Sequence, residues 1–407
     1  MKIVFAFKRK QWQNALEFEE NPRTMKANDI LYFAYKYYFK PPIKPSKNSI
    51  ISHFENKVKV KSYSNISKKE ISISIGGDLM PYELIKPENT KHLWDNIGDD
   101  FFRNDIVFAN LETPIDLTKK PKFVPEVMLS NMLFNTNEQT FDVFNGNGKH
   151  KGYDMLSVAN NHSLDMGEKG LLNTLDFLSQ KKIKYVGVAK SESDFNTPKI
   201  IKKNGIKIGF VAYTYSLNQF LPPASKPWLV NYLPLNKADC NIDIIKEQTK
   251  ACKLAGADLI ICSLHAGNAY QAYPNQVVID LYQRLFSECG LDIIAGGHPH
   301  NLQPWKYYDF TCPFSKKEKQ GFAIYSLADF IAYDISTWCH LSAIIDIKVS
   351  KSIENKILIK VDVKPIIIQK EKNDLVLMYA EDFFQNNKSH KEYSDLKLLC
   401  DTCMKYN

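Results

Sequence analysis

Between residues 71 and 335 the chain repeats one pattern, a short apolar run, a polar stop and a stretch of helical period. Ile71-Ser72-Ile73-Ser74-Ile75 alternates as a strand does and stops at Gly76-Gly77-Asp78. Asp105-Ile106-Val107-Phe108-Ala109 stops at Asn110-Leu111-Glu112, and Asp154-Met155-Leu156-Ser157-Val158-Ala159 stops at Asn160-Asn161-His162. Leu171, Leu172, Leu175 and Leu178 share one face of a helix predicted over roughly 167–181, and a strand follows at 184–188. A strand at 206–213, a proline-rich loop at 216–236, a helix near 241–255 and a strand at 258–264 ending in His265 come next. A helix near 276–289 leads to the run Leu291-Asp292-Ile293-Ile294-Ala295, which ends in Gly296-Gly297-His298-Pro299-His300. The two glycines are expected to let the backbone turn sharply as it leaves the sheet. A strand at 322–327 and β-rich runs near 342–349 and 356–368 complete an α/β pattern.

The flanks read differently. Residues 1–70 are taken as an N-terminal extension of unknown role, residues 71–370 as the main domain, and 371–407 as a charged peripheral tail. Within the extension, the aromatic run at 31–39 suits a helix ended by Pro41-Pro42, and the Lys/Ser-rich stretch 57–70 suits a linker. Residues 116–150 are polar and irregular and are expected to form a substrate-facing insertion.

Composition narrows the function classes. With 44% hydrophobic residues among 407, there is ample material for a large core. The net charge of +8 is spread along the chain, so no nucleic-acid partner is expected. No run approaches the roughly 18 apolar residues a membrane helix needs, and the start of the chain lacks a secretory pattern. The expectation is therefore a cytoplasmic protein without a membrane span. All 8 cysteines lie after residue 239. Cys252, Cys262 and Cys289 read as buried free thiols, and Cys400-Asp401-Thr402-Cys403 lacks a second pair at zinc-ribbon spacing.

The chemistry collects where strands stop, which is where open α/β sheets bind ligands. Five strand ends offer Asp78, Glu112, Asn161 with His162, His265, and His298 with His300. Each has a bland reading alone: a turn residue, a solvated acid, a helix cap, a satisfied core histidine. Together they predict one shared metal site. Carboxylate, amide oxygen and imidazole together suit one or two divalent transition-metal ions, Mn, Fe, Co or Zn, better than Mg or Ca. If a helical turn starts at His162, the carboxylate of Asp165, three residues on, faces its imidazole, which then reads as an acid–base group; the alternative is that Asp165 caps the following helix.

These motifs resemble the CapA family of poly-γ-glutamate capsule biosynthesis proteins, within the calcineurin-like metallophosphoesterase superfamily. The matching segments are Gly77-Asp78-Leu79-Met80, Asn110-Leu111-Glu112, Ala159-Asn160-Asn161-His162-Ser163-Leu164-Asp165-Met166-Gly167, His265-Ala266-Gly267, Gly297-His298-Pro299-His300 and Tyr325-Ser326-Leu327-Ala328-Asp329-Phe330. The resemblance implies a four-layer α/β/β/α metallophosphoesterase-like sandwich with one or two metals at the strand ends. By position it implies the ligands Asp78, Glu112, Asn161, His265, His298 and His300, with His162 matching the superfamily's catalytic histidine. Three departures stand out. The superfamily's Asp-x-His is Asp78-Leu79-Met80 here, so one metal position lacks an imidazole. Family members usually carry Trp where this chain has Ala266, and Gly-Asn where it has Ala328-Asp329. The expected activity is metal-dependent hydrolysis of a phosphoester or a γ-glutamyl or peptide-type amide, in polymer or peptide biosynthesis. The expected partner is an anionic polymer, peptide or phosphoester substrate. The alternatives are a metal-dependent peptide epimerase and a non-catalytic polymer-assembly protein with a degenerate metal site.

Overall fold

The strand read at residues 71–75 runs well past its predicted ends on both sides. The computed structural model describes residues 11–57, 66–123, 133–352 and 356–406. Its strands, in chain order, are β1 Ile66–Leu79, β2 Ile106–Leu111, β3 Met155–Ser157, β4 Lys184–Val186, β5 Lys199–Lys203, β6 Ile206–Thr214 and β7 Leu259–His265. They continue as β8 Ile293–Gly297, β9 Gln303–Thr311, β10 Glu318–Ser326, β11 Asp329–Ile331, β12 Leu341–Ser352, β13 Ile357–Glu371 and β14 Asp374–Tyr379.

The strands form two sheets. One has the order β14-β13-β12-β1-β2-β3-β4, with the short β11 also paired to β1; the other has the order β5-β6-β7-β8-β10-β9. Strands β1 to β4 are mutually parallel, as are β6, β7, β8 and β10, and the hairpin-like additions β5, β9 and β12–β14 are antiparallel. Strand periodicity explains the layering. Along β2, Ile106 and Phe108 join the core between the sheets, while Val107, Ala109 and Leu111 face the opposite way. Phe108 meets Phe210 of β6 across that core, ring centroids 5.3 Å apart.

Helices cover the outer faces. The helix Gly167–Gln180 buries Leu171, Leu175 and Leu178 in the same cluster as Val107 and Leu156. Asp243–Leu254 and Gln276–Cys289 bury Ile245, Cys252, Val278, Leu281 and Leu285 against the second sheet. Asn275 caps the latter by accepting from Val278 N at 3.0 Å, and Gly290 ends it in the left-handed conformation. The fold is thus a mixed α/β sandwich of two sheets between helices, in line with the sequence pattern.

The flanks differ in detail from the sequence reading. Residues 66–70 belong to β1, and the rest of the expected linker lies largely outside the described residues. The aromatic run forms the helix Ala27–Tyr38, ending before Pro41-Pro42. The stretch from 371 onward holds β14 and the helix Tyr393–Met404, whose Leu396, Leu399 and Cys403 are buried in the main core. Its charges lie on the outer face of an amphipathic helix, so charge content alone concealed the burial. All eight cysteines are free and buried, Cys400 and Cys403 included. Among the described residues, no helix is long and apolar enough to cross a membrane.

Candidate metal centre

Parallel strands in both sheets aim their carboxyl ends at one place. Asp78 lies at the end of β1, Glu112 directly after β2, and Asn161 and His162 on the turn after β3. From the facing sheet come His265, the last residue of β7, and His298 and His300 after β8. All seven are buried, the most exposed being His300 at 6%.

Two groupings share Asp78. In one, the polar atoms of Asp78, Glu112 and His265 lie within 4.8 Å of one another; in the other, those of Asp78, His300 and Asp329 do. His265 Nε2 lies 2.7 Å from Asn161 Oδ1 and 3.4 Å from Glu112 Oε1, which adds the amide to the first group. Asp78 accepts from Asn110 Nδ2 at 2.8 Å and from the backbone N–H of His298 at 3.0 Å. That second bond joins the two sheets at the site.

The backbone around the histidines corrects one expectation. Gly296 and Gly297 are not where the chain turns; His298 (φ 90°) and His300 (φ 56°) are. The glycines are needed for close approach instead. A Cβ on Gly296 would lie 2.1 Å from the Tyr325 carbonyl oxygen, and one on Gly297 would lie 2.7 Å from Asp78 Oδ1. The strained conformation of His298 is stabilised by its N–H bond to Asp78.

Electrostatics set the protonation states. Burial, with the Glu112 charge beside it, pushes the Asp78 carboxyl up to about 6. Burial pulls His265 down to about 3 and His298 to about 4, so both imidazoles are neutral at neutral pH. His300 goes the other way: burial would lower it, but the Asp329 carboxylate, 2.8 Å from Nδ1, outweighs that and raises it. Burial raises Asp329 as well.

Beside this cluster, His162 Nδ1 lies 2.6 Å from Asp165 Oδ2. The same carboxylate oxygen accepts from Phe134 N at 2.6 Å, and the Phe134 ring stacks on the imidazole, centroids 3.9 Å apart. Asp165 therefore faces the histidine and does not cap the following helix. Asn160 builds the turn, accepting from His162 N and donating to the Leu111 carbonyl oxygen at 2.7 Å. Phe134 belongs to the insertion at 116–150, which is not irregular throughout but carries the helix Glu138–Phe144, and part of which lies outside the described residues.

Several oxygens in the site lack partners. Glu112 Oε1 and Oε2, Asp329 Oδ2 and His298 Nδ1 are buried with no hydrogen bond among the described residues. Buried carboxylates without compensation are costly, and a divalent cation is the compensation this donor set fits. Asp78, Glu112, Asn161 and His265 could hold one cation, and Asp78, His300 and Asp329 a second. His298 falls in neither group; its Nε2 lies 2.9 Å from the Tyr215 hydroxyl. Asp329 was not among the predicted ligands. Its signal was present as a carboxylate where the resembling family usually has an amide.

The comparisons with known proteins bear on the same residues. The chain matches the family described as Bacterial capsule synthesis protein PGA_cap over residues 72–334. It is 25% identical over 270 residues to the capsule biosynthesis protein CapA of Bacillus anthracis, covering 65% of this chain and 60% of that protein. It is 29% identical over 279 residues to the PGA biosynthesis protein CapA of Bacillus subtilis (strain 168), covering 67% and 65%. The match thus spans less than two thirds of the length of either relative. A hypothetical protein from Thermus thermophilus aligns with a TM-score of 0.39 at 14% identity, over 72% of this chain and 99% of that one. Every residue of the two clusters lies inside the family match, from Asp78 to Asp329. Because that match covers more than half of the chain, the protein belongs to the bacterial capsule synthesis protein PGA_cap family.

Proposed function

We propose that this protein is a metal-dependent hydrolase of capsule-type polymer or peptide metabolism, cleaving a phosphoester or a γ-glutamyl or peptide-type amide. The observation that carries the reading is the set of buried, unpartnered carboxylate oxygens on Glu112 and Asp329 around the shared Asp78. A protein with only an assembly role has no reason to maintain that cost. A bound Mn, Fe, Co or Zn ion would supply Lewis acidity toward a phosphoryl or carbonyl oxygen and lower the pKa of water held beside it. Asp78, Glu112, Asn161 and His265 would hold the first position, and Asp78, His300 and Asp329 the second. Asp165 fixes the His162 ring by its bond to Nδ1, so Nε2 is the atom that delivers a proton to a leaving group. Phe134, stacked on that ring, excludes water from one of its faces. The polymer in the name of the Bacillus subtilis relative, PGA, makes an anionic polyamide one substrate class to test.

The test uses metal-depleted protein reloaded with Mn²⁺, Co²⁺ or Zn²⁺ and assayed on p-nitrophenyl phosphoesters and on oligo-γ-glutamyl peptides. The expected result is metal-dependent release from one class, reduced about 10²- to 10⁴-fold in His162→Ala. Stoichiometric metal with no turnover on either class would overturn the hydrolase reading.

Loading also has a protonic signature. At pH 7.5 the His300–Asp329 pair retains a proton, because the imidazole is raised, whereas His265 is already neutral. Filling the second position should release about one proton and filling the first about none. Titration calorimetry in two buffers of different ionisation enthalpy reads the difference.

A further inference from the structure

Glu20 stands outside the family match, yet it is 2% exposed and its carboxylate reaches the histidine cluster. Its Oε1 lies 3.4 Å from His298 Nε2 and accepts from Ala269 N at 2.8 Å. Its Oε2 lies 3.2 Å from the Nζ of Lys36, which is wholly buried and donates at 2.5 Å to the Ala269 carbonyl oxygen. Two further bonds tie this segment to the loops at the site: Asn268 Nδ2 donates to the Phe18 carbonyl oxygen, and Asn236 Nδ2 to that of Glu20. Residues 11–57 thus deliver a buried acid to one imidazole and a buried base to hold that acid in place. Desolvating such a pair is expensive, which is more than a packing contact requires.

We infer that Glu20 is a positioning residue that keeps the proton of His298 on Nε2, so that Nδ1 carries the lone pair available to a ligand. The argument rests on both ring nitrogens. Nε2 is flanked by the Tyr215 hydroxyl at 2.9 Å and by the Glu20 carboxylate, which can only accept. A lone pair on Nε2 would face that negative charge, whereas an N–H there is attracted to it. Nδ1 is buried without a partner among the described residues, so a proton placed there would be an unsatisfied donor. Both ends of the ring select the same tautomer. A carboxylate behind a histidine in this way fixes its orientation and raises its basicity toward a cation. The N-terminal segment is then a working part of the site and not an appendage. This adds to the hydrolase reading, but the tautomer is a property of the metal-free protein and is tested separately from it.

The experiment records long-range ¹H–¹⁵N correlations on metal-depleted, full-length protein carrying ¹⁵N-histidine, with His298→Gln assigning the signal. The expected result is a protonated Nε2 and an unprotonated Nδ1 on His298. In Glu20→Gln, the Nδ1–H form should become populated. Glu20→Asp should restore part of the Nε2–H population. If Glu20→Gln does not fold, the Glu20→Gln/Lys36→Met pair, which removes both charges, is read in its place. A proton on Nδ1 in the unsubstituted protein overturns the inference, as does a folded variant whose His298 tautomer is unchanged. Failure of the unsubstituted protein to bind Mn²⁺ would sink the hydrolase reading while the tautomer result still decided this one.

Discussion

Asp78→Asn is expected to abolish cation binding while making the metal-free protein more stable. Asp78 is the one carboxylate common to both clusters, so its loss removes a ligand from each position. The fall in Mn²⁺ affinity should exceed the roughly hundredfold that follows loss of a mere outer partner. Stability moves the opposite way because the carboxyl is pushed up to about 6, from an ordinary 3.8, by burial and by Glu112. A group raised in this way is protonated more readily folded than unfolded. It costs nothing below its unfolded value, and the cost grows as pH climbs through the interval and is complete above about 6. Over that interval the penalty is about 3 kcal/mol, less the hydrogen bonds from Asn110 and His298 that Asn keeps only in part. Chelated protein in urea at pH 7.5 should therefore gain about 1–3 kcal/mol on substitution, with the gain vanishing near pH 4. A stability loss at pH 7.5, or retained Mn²⁺ binding, would contradict the electrostatic picture of the cluster.

Gly296→Ala should destabilise the protein more than any loop glycine. The new methyl would lie 2.1 Å from the Tyr325 carbonyl oxygen and 2.5 Å from its carbon, backbone atoms of β10 that are paired to β8. Neither strand can retreat without opening a ladder buried on both faces, so the cost should reach about 3 kcal/mol. Gly148 provides the control. Its φ is +66° but nothing lies within 4 Å of an added Cβ, so Gly148→Ala should cost only the left-handed strain, about 1–2 kcal/mol. Urea midpoints of the two variants separate overlap from backbone strain. Equal losses would show that β8 and β10 can part at Gly296.

What the sequence made legible follows from how local each signal is. Strands such as Ile71–Ile75 and helices such as Gln276–Cys289 announce themselves through period, and the polar residue at each strand's end follows from its place in the chain. Edge strands were harder: β5 is Lys-Ile-Ile-Lys-Lys, and β9 mixes aromatics with charge, so neither has a clean two-residue alternation. Roles that depend on three-dimensional approach were beyond local reading. The Gly296 and Gly297 hydrogens make room for Tyr325 and Asp78, which no φ preference reveals. Asp329 was visible as a departure near the site, but its pairing with His300 requires β11 to leave the second sheet and join β1 of the first. Glu20 gave no signal at all, because its contact with His298 joins residues far apart in the chain.

The split origin of the donors has a mechanical consequence. Asp78, Glu112 and Asn161 ride on one sheet, and His265 and His300 on the other, so an ion held by both sets would act as a rivet through the sandwich. Sliding one layer over the other would stretch every bond to that ion at once. Tight docking of the layers and tight grip on such an ion would then be a single equilibrium, and whatever loosened the first would also loosen the second.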